Sequence, residues 1–190
     1  MSKAIFLDRD GTINQEINYL TKKEDIVFYP NTIKALQIFK NSGFLNIIIT
    51  NQSGIARGFL TENDLNTIHK EFRKLLTANN QELIDDIFYS PFHIDGIIEH
   101  YKTDSADRKP GTGMIHKAKA KYNIELQESF LVGDSLSDMQ CAVNAGVKNI
   151  LVETGYGKRD LENCKMENLK IDYFAKDLYD AACYVSKIKN

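Results

Sequence analysis

The sequence predicts an α/β fold in which helices cover both faces of a doubly wound parallel sheet. Short apolar segments, which we interpret as strands, alternate with longer segments whose apolar residues recur at helical spacing. The strand segments are almost continuously apolar, as expected for strands that are buried on both faces of a parallel sheet. Polar segments directly follow several strands, and open parallel sheets form their sites at the carboxyl ends of strands.

The predicted strands are short apolar segments that end at charged or turn-forming residues. The first strand begins almost at the amino terminus, and two carboxylates end it. The second ends at a polar, turn-forming segment that begins with Thr50, and the fourth ends at Gly133 and Asp134. The five predicted strands cover residues 4–7, 45–49, 87–89, 129–132 and 149–152.

The predicted helices lie between the strands and are bounded by capping residues. Asn31 is a favourable N-cap for the first helix, and Gly43 is a favourable residue to end it. Thr61 and Asp64 resemble a capping box at the start of the second helix. Residues 156–170 show no clear pattern. The five predicted helices cover residues 32–41, 61–78, 112–122, 137–145 and 176–187.

Length and composition predict one globular domain, residues 1–190, which we expect to be monomeric. A net charge of −2 gives no electrostatic reason to expect a nucleic acid or a membrane surface as a partner. No signal peptide or membrane-spanning apolar segment is recognised, which predicts a cytoplasmic protein. The three cysteines are widely spaced and fit reduced thiols.

Asp8 and Asp10 directly follow the first predicted strand and are separated by one residue. In extended backbone such side chains lie on the same side, so both carboxylates can face one ligand. Two close carboxylates repel each other unless a cation lies between them, and a hard divalent cation such as Mg²⁺ prefers oxygen ligands. A solvated acidic turn is the alternative, but the preceding buried strand and the following Gly11 favour a site.

The segment from Asp8 to Thr12, Asp-Arg-Asp-Gly-Thr, resembles motif I of the haloacid dehalogenase (HAD) superfamily of phosphohydrolases. The resemblance implies a Rossmann-like HAD fold, with Asp8 as the nucleophile and Asp10 as the general acid and base. The gap between Thr12 and the first predicted helix is too short for a large cap domain, so a minimal cap or none is expected. This gap also argues against a phosphomutase, because those enzymes usually carry such a cap.

Three further segments are similar to the other motifs of this superfamily. Thr50 would bind the transferring phosphoryl group, as the hydroxyl residue of motif II does, although the same segment alone could be an ordinary turn. Lys109 would hold Asp8 and the phosphate, as the lysine of motif III does. Asp134 would bind Mg²⁺ directly, which gives the expected ligand set Asp8, Asp10 and Asp134. Asp138 either supports these ligands or caps the helix that follows.

The combined motifs are similar to a subgroup of sugar phosphatases, the heptose-1,7-bisphosphate 7-phosphatases. The resemblance implies a small-molecule sugar bisphosphate as substrate and hydrolysis through an aspartyl-phosphate. Two alternatives remain: a histidinol-phosphate phosphatase, which belongs to the nearest related subgroup, and a phosphate-binding protein without catalysis. The residues expected to contact the substrate are Asn51, Gln52, Ser53, Arg57, Arg108 and Ser135.

A loop in this subgroup usually holds a structural Zn²⁺ through one Cys-x-His pair and one Cys-x-Cys pair. The loop precedes the Arg-Lys-Pro segment, which is residues 108–110 of this chain. None of the four positions carries a zinc ligand of that pattern, so no structural Zn²⁺ is expected. The four positions are occupied by Ser90, Phe92, Ser105 and Asp107.

Overall fold

A sheet of six parallel strands lies at the centre of this computed structural model, which describes residues 1–188. In chain order the strands are β1 (Lys3–Leu7), β2 (Phe44–Asn51), β3 (Thr77–Ala78), β4 (Gln81–Glu82), β5 (Asp86–Ser90), β6 (Phe130–Gly133), β7 (Lys148–Val152) and β8 (Tyr173–Ala175). The sheet has the order β5-β2-β1-β6-β7-β8, and β3 and β4 form a separate antiparallel pair. The predicted α/β fold with a parallel sheet is confirmed.

Six helices cover the sheet, three on each face. On one face α1, α2 and α6 pack against Ile5 and Leu7 of β1. On the other face α3, α4 and α5 pack against Ala4 and Phe6. Side chains alternate between the two faces of a strand, so β1 is buried from both sides. The helices are α1 (Thr32–Asn41), α2 (Glu62–Leu75), α3 (Gly113–Tyr122), α4 (Leu136–Ala145), α5 (Gly157–Met166) and α6 (Leu178–Ile188).

The position of β1 in the sheet decides which residues can meet. It pairs with β2 on one side and with β6 on the other. All three strands end at the same edge because they are parallel. The backbone N–H of Asp8 donates to Val132 O at 2.9 Å, which extends the β1–β6 ladder by one bond. Asp8 therefore lies between the end of β2 and the segment that follows β6.

Three local predictions were wrong or incomplete. The second helix ends at Leu75 instead of residue 78, because Thr77–Ala78 turns back onto Gln81–Glu82 through two asparagines with positive φ. Asn31 does not cap α1 with its side chain, since its own φ is +63°. The unassigned segment 156–170 contains α5, and the short strand β8 was not predicted.

The other helix predictions agree with the structure to within two residues at each end. The capping box of Thr61 and Asp64 is present at the start of α2, with both backbone bonds formed. Gly43 adopts a positive φ of +79° just after α1, as expected for a residue that ends a helix. None of the helices within residues 1–188 combines the length and the apolar character that crossing a bilayer requires.

Candidate active site

A cavity at the carboxyl ends of β1, β2 and β6 brings most of the predicted site residues together. Arg57 and Arg108 are outside its lining. The lining also contains residues that were not predicted, among them Glu16, Tyr19 and Tyr156. The predicted residues that line it are Asp8, Asp10, Thr50, Asn51, Gln52, Ser53, Lys109, Asp134 and Ser135.

Three buried carboxylates form a cluster, and two of them, Asp8 and Asp134, line this cavity. Asp8, Asp134 and Asp138 each place one oxygen within 4.8 Å of the others. Burial, together with repulsion from Asp138 and Asp10, raises the pKa of Asp8 to about 7 although Lys109 opposes this. Burial and the charges of Asp8 and Asp138 raise the pKa of Asp134 to about 9. The cluster therefore lacks enough positive charge to keep both Asp8 and Asp134 fully ionised near neutral pH.

These carboxylates fit a magnesium ion. All three are hard oxygen ligands, and within residues 1–188 the cation in ion-pair contact with them is Lys109 alone. The set differs from the predicted one, because the Asp10 carboxylate lies outside this cluster and that of Asp138 lies inside it. The predicted ligands Asp8 and Asp134 are thus close together, whereas Asp10 is held elsewhere.

Asp138 has both of the roles that the sequence left open. Its Oδ1 lies 2.6 Å from Lys109 Nζ. Its Oδ2 accepts hydrogen bonds from the backbone N–H of Ser135 at 3.1 Å and from the Ser135 hydroxyl at 2.6 Å. Ser135 is the N-cap of α4 in a complete capping box. The Ser135 hydroxyl, which was expected to contact the substrate, is therefore engaged in capping.

Lys109 connects two of the three carboxylates. Its Nζ lies 2.6 Å from Asp8 Oδ1 and 2.6 Å from Asp138 Oδ1, and it donates to Ile49 O at 3.0 Å. Burial alone would lower the pKa of Lys109, but Asp138 and Asp8 raise it well above the ordinary value. The ammonium group is therefore charged near neutral pH.

Asn51 holds the backbone of Lys109 in place. Its Oδ1 accepts from Lys109 N at 3.0 Å, and its Nδ2 donates to Lys109 O at 3.1 Å. This pair of bonds joins the end of β2 to the segment that carries the lysine, across 58 residues of sequence. Asn51 was expected to contact the substrate, but in the structure its amide group positions Lys109.

The Asp10 carboxylate is bound to Arg9, the residue beside it. Arg9 Nη2 lies 2.7 Å from Asp10 Oδ2, and Arg9 Nε lies 3.1 Å from both carboxylate oxygens. Asn14 and Gln52 donate further bonds to the same carboxylate at 2.9 and 3.1 Å. Burial would raise the pKa of Asp10, but Arg9 and these donors hold it below its ordinary value. Asp10 is therefore ionised in this arrangement.

Gln52 connects Asp10 with Thr50. Its Nε2 donates to Asp10 Oδ2 at 3.1 Å and to Thr50 Oγ1 at 2.9 Å, and its Oε1 accepts from Arg9 Nη2 at 3.1 Å. Because Thr50 Oγ1 accepts this bond, the hydrogen of the hydroxyl group is free to be donated to a ligand. Gln52 thus orients a donor that faces the cavity.

Arg57 and Arg108 form a separate cationic group with His93. Arg57 Nη2 lies 3.3 Å from His93 Nε2, and Arg108 Nη1 donates to Phe92 O at 3.4 Å. Burial and the nearby charge of Arg57 lower the pKa of Arg108, and Tyr19 of the cavity wall is close enough to counter this. Within residues 1–188 neither guanidinium forms an ion pair with a carboxylate. Two guanidinium groups without a carboxylate partner in this part of the chain therefore lie close together, and that of Arg108 is near Tyr19 of the cavity wall.

Gly155 and Tyr156 support Asp134 and were not predicted. Tyr156 N donates to Asp134 Oδ2 at 2.8 Å. Gly155 has a φ of +56°, and a Cβ atom at this position would overlap Asp134 Oδ2. The sequence feature that could have indicated this role is the glycine-containing turn directly after the predicted strand 149–152.

We expect Gly155→Ala to weaken Mg²⁺ binding by about tenfold or more, because the new methyl group displaces a carboxylate of the cluster. Isothermal titration calorimetry with Mg²⁺ measures the change. Gly146→Ala is the matched control, since Gly146 also has a positive φ of +71° but has no atom within 4 Å of a built Cβ. Equal Mg²⁺ affinity in the two variants would contradict the role of Gly155.

Comparison with known proteins decides the family. A family model described as HAD-hydrolase-like matches residues 106–181. The D-glycero-alpha-D-manno-heptose-1,7-bisphosphate 7-phosphatase of Photorhabdus laumondii is 40% identical over 168 residues, which cover 87% of this chain and 91% of that protein. The chain belongs to this family of HAD-like phosphatases.

Other proteins similar to this HAD-like phosphatase agree with that assignment. The D-glycero-beta-D-manno-heptose-1,7-bisphosphate 7-phosphatase of Escherichia coli K12 is 40% identical over 153 residues, which cover 80% of each chain. The crystal structure of D,D-heptose 1,7-bisphosphate phosphatase from B. bronchiseptica, complexed with magnesium and phosphate, superposes with a TM-score of 0.85. It is 30% identical and covers 98% of this chain and 99% of that one.

Proposed function

We propose that the protein hydrolyses the 7-phosphate of D-glycero-D-manno-heptose 1,7-bisphosphate, with Asp8 as the nucleophile. The observation that carries this proposal is the buried Asp8 carboxylate, which lies 2.6 Å from Lys109 Nζ in a cavity shared with Thr50. Family membership supports the reaction class, since the named relatives are phosphatases. The reaction is a step in the synthesis of nucleotide-activated heptoses for surface glycans.

In the proposed mechanism, Asp8 attacks the phosphorus atom and forms an aspartyl-phosphate, which water then hydrolyses. The Lys109 ammonium and the Thr50 hydroxyl donate to the non-bridging phosphoryl oxygens and stabilise the charge that develops there. Asp8 and Asp134, with Asp138 beside them, would hold Mg²⁺, whose charge when bound keeps these carboxylates ionised and neutralises the phosphoryl oxygens.

Asp10 has the proton-transfer role in this proposal. It donates a proton to the departing sugar oxygen and later accepts one from the attacking water. In the structure Arg9 keeps the Asp10 carboxylate ionised, with a pKa below its ordinary value. That state suits the second step, in which Asp10 is the base. For the first step Asp10 must carry a proton, so the negative charge of the bound phosphate must raise the pKa of Asp10 against the opposing charge of Arg9.

The cationic group of Arg57 and Arg108 favours a bisphosphate substrate. Two guanidinium groups without a carboxylate partner are suited to a second phosphate, since guanidinium can donate to two oxygens at once. Histidinol phosphate, the alternative substrate, has one phosphate and an ammonium group, which these cations would repel. The structure thus supports the heptose bisphosphate over that alternative.

We expect Arg108→Met to raise KM for the heptose 1,7-bisphosphate by about tenfold or more, because a charge-assisted hydrogen bond to the second phosphate is lost. The same variant should leave KM for the matched 7-monophosphate nearly unchanged, since that sugar has no second phosphate. Steady-state phosphate release with both sugars measures this difference. A similar increase of KM for both substrates would argue against a second-phosphate site at Arg108.

The function is tested by phosphate release in the presence of Mg²⁺ from the α and β heptose 1,7-bisphosphates and from histidinol phosphate. We expect a large preference for one heptose anomer. The two named relatives differ in the anomer that their names give, alpha in Photorhabdus laumondii and beta in Escherichia coli. A preference for histidinol phosphate would refute the proposed substrate, and no release from any ester would refute catalysis.

We also propose that the protein has no structural Zn²⁺. The loop before Arg108 is held by protein contacts: Ile97 N and Ile98 N donate to Ala56 O at 2.8 and 3.0 Å, and the Tyr101 hydroxyl donates to Glu62 at 2.8 Å. Elemental analysis of protein purified without added metal should therefore detect less than about 0.1 equivalent of zinc. One equivalent would overturn this proposal. A single domain, a monomeric state and a cytoplasmic location stay predictions.

A further inference from the structure

Arg9 is a charged residue in the interior of the protein. Its side chain is fully buried, with a relative exposure of 0%. The guanidinium packs over the ring of Phe72, 5.5 Å from the ring centroid. A buried cation is strongly destabilising unless its N–H groups donate to acceptors. The acceptors around Arg9 therefore determine the position of its guanidinium group.

The partners of Arg9 divide its nitrogen atoms among three residues. Nε and Nη2 donate to Asp10, and Nη2 also donates to Gln52. Nη1 lies 3.3 Å from Nε2 of His69, on the side of the guanidinium that faces α2. Since Arg9 can only donate, Nε2 of His69 must be the unprotonated nitrogen that accepts.

His69 has the surroundings of a neutral acceptor. It is 7% exposed, and burial together with the charges of Arg9 and Arg73 lowers its pKa to about 3, against a smaller opposing effect of Asp10. The ring also packs edge-on against Tyr89, with 5.7 Å between centroids. The imidazole is therefore uncharged near neutral pH and held in one orientation.

We propose that His69 is a positioning residue that fixes the Asp10 carboxylate through Arg9. The proposal rests on the function proposed above, in which Asp10 transfers the proton. His69 holds Nη1, so the guanidinium is fixed in its plane, and its other two nitrogens then fix both oxygens of Asp10. Through Gln52 the same guanidinium is linked to the Thr50 hydroxyl. One buried cation thus sets the relative position of two groups that face the phosphoryl group.

The position of His69 in α2 supports this role. The other buried residues of this helix are the apolar Leu65, Ile68 and Phe72, so His69 is the polar exception among them. An apolar side chain there would fill the space but would leave Nη1 of Arg9 without its acceptor. With Nη1 unpaired, the guanidinium would rotate. The Asp10 carboxylate would move with it, because Asp10 is bound to the other two nitrogens.

The test compares two substitutions that differ in whether an acceptor remains. His69→Phe keeps a ring of similar shape and removes the acceptor, whereas His69→Gln retains an amide oxygen at about the same reach. We expect His69→Phe to lower kcat for the heptose 1,7-bisphosphate, whose sugar oxygen needs a proton to depart, by about tenfold with KM changed by less than about twofold, because a displaced catalytic group slows the chemical step. His69→Gln should keep most of the wild-type kcat.

Ile68→Val is the matched control, since Ile68 is a buried residue of the same helix whose side chain has no acceptor to offer Arg9. Thermal unfolding of each variant separates stability from positioning, and kinetics are measured well below the lowest Tm. A purely structural role predicts a lower Tm for His69→Phe with an unchanged kcat. That result would overturn the proposal, as would an equal loss of kcat in both His69 variants.

A second readout does not depend on activity. The Nε–H signal of Arg9 in a ¹⁵N NMR spectrum, assigned with Arg9→Lys, should be sharp and slow to exchange in the wild type and in His69→Gln. It should broaden or exchange quickly in His69→Phe, because the guanidinium has lost its third partner. An unchanged signal in His69→Phe would overturn the proposal. If the wild type hydrolysed no phosphate ester, the proposed function would fail, while this signal would still test the contact between His69 and Arg9.

Discussion

Asp8→Asn should lower phosphate release by at least about 10⁴-fold, since it removes the proposed nucleophile and with it the covalent route. The amide can still accept a hydrogen bond from Lys109, which lies 2.6 Å from Asp8 Oδ1. The fold should therefore be retained. Removing one of three clustered carboxylates also relieves repulsion, so without Mg²⁺ the Tm at pH 8 should not fall.

The measurement is phosphate release in the presence of Mg²⁺, with Asp25→Asn as the control because Asp25 is an exposed aspartate of a surface turn. We expect the control to keep full activity. Mass spectrometry after a short incubation with substrate should detect a phosphorylated protein in the wild type and none in Asp8→Asn. Retention of more than about one hundredth of the activity in Asp8→Asn would exclude Asp8 as the nucleophile.

Lys109→Met should lower kcat by about 10³-fold, because the substitution removes a buried positive charge that stabilises the transition state. It should also destabilise the metal-free protein by about 3–5 kcal/mol, since Asp8 and Asp138 lose the cation that lies 2.6 Å from each. The loss of stability should be largest at high pH. Protonation of the carboxylates relieves the repulsion as the pH falls below the raised pKa of Asp8, about 7.

Denaturant unfolding at pH 6 and pH 8 measures this effect. Lys117→Met is the control, because Lys117 is exposed and pairs with Asp107 at the surface, and it should change neither kcat nor stability appreciably. A Lys109→Met protein that was as active as Lys117→Met would show that this ammonium does not act on the phosphoryl group.

Much of the site could be predicted because the fold places the ends of parallel strands at one edge. Asp8, Thr50 and Asp134 each follow or end a predicted strand, and all three line the same cavity. The strand pattern and the residue types after each strand predict that these three residues meet, whereas their individual roles were implied by the resemblance to the HAD motifs. Lys109 lies in a loop instead, and the resemblance to a known motif was needed to include it.

The carboxylates that form the cluster could not be predicted by spacing alone. The rule that side chains at i and i+2 lie on the same side holds for extended backbone, but Asp10 is part of a turn. Arg9 O accepts bonds from Ile13 N and Asn14 N, and Gly11 has a φ of +84°. The turn directs Asp10 toward Arg9, while Asp138 reaches the cluster from α4.

The contact between the buried residues Arg9 and His69 could not be predicted from the sequence either. Arginine is seldom fully buried, and a lone histidine in an amphipathic helix is most simply interpreted as a surface or core residue. The two residues are 60 positions apart, and only the packing of α2 against the first turn brings them together. Such contacts depend on tertiary structure and leave no local pattern.

The central position of β1 also has a consequence for how the protein is made on the ribosome. β1 is complete once Leu7 has emerged, but its partner β6 begins only at Phe130. At about 10 residues per second, roughly ten seconds of synthesis separate the two strands. During that interval one edge of an apolar strand has no partner, which is the condition under which nascent chains associate wrongly.

The same order of synthesis delays the appearance of the enzyme. Gly155, which packs against Asp134, follows Asp8 by 147 residues in the sequence (155 − 8). A nascent chain that ends before Gly155 therefore contains Asp8 without the two residues that contact the Asp134 carboxylate, Gly155 and Tyr156. We expect such a chain to lack phosphatase activity, because the proposed site is incomplete.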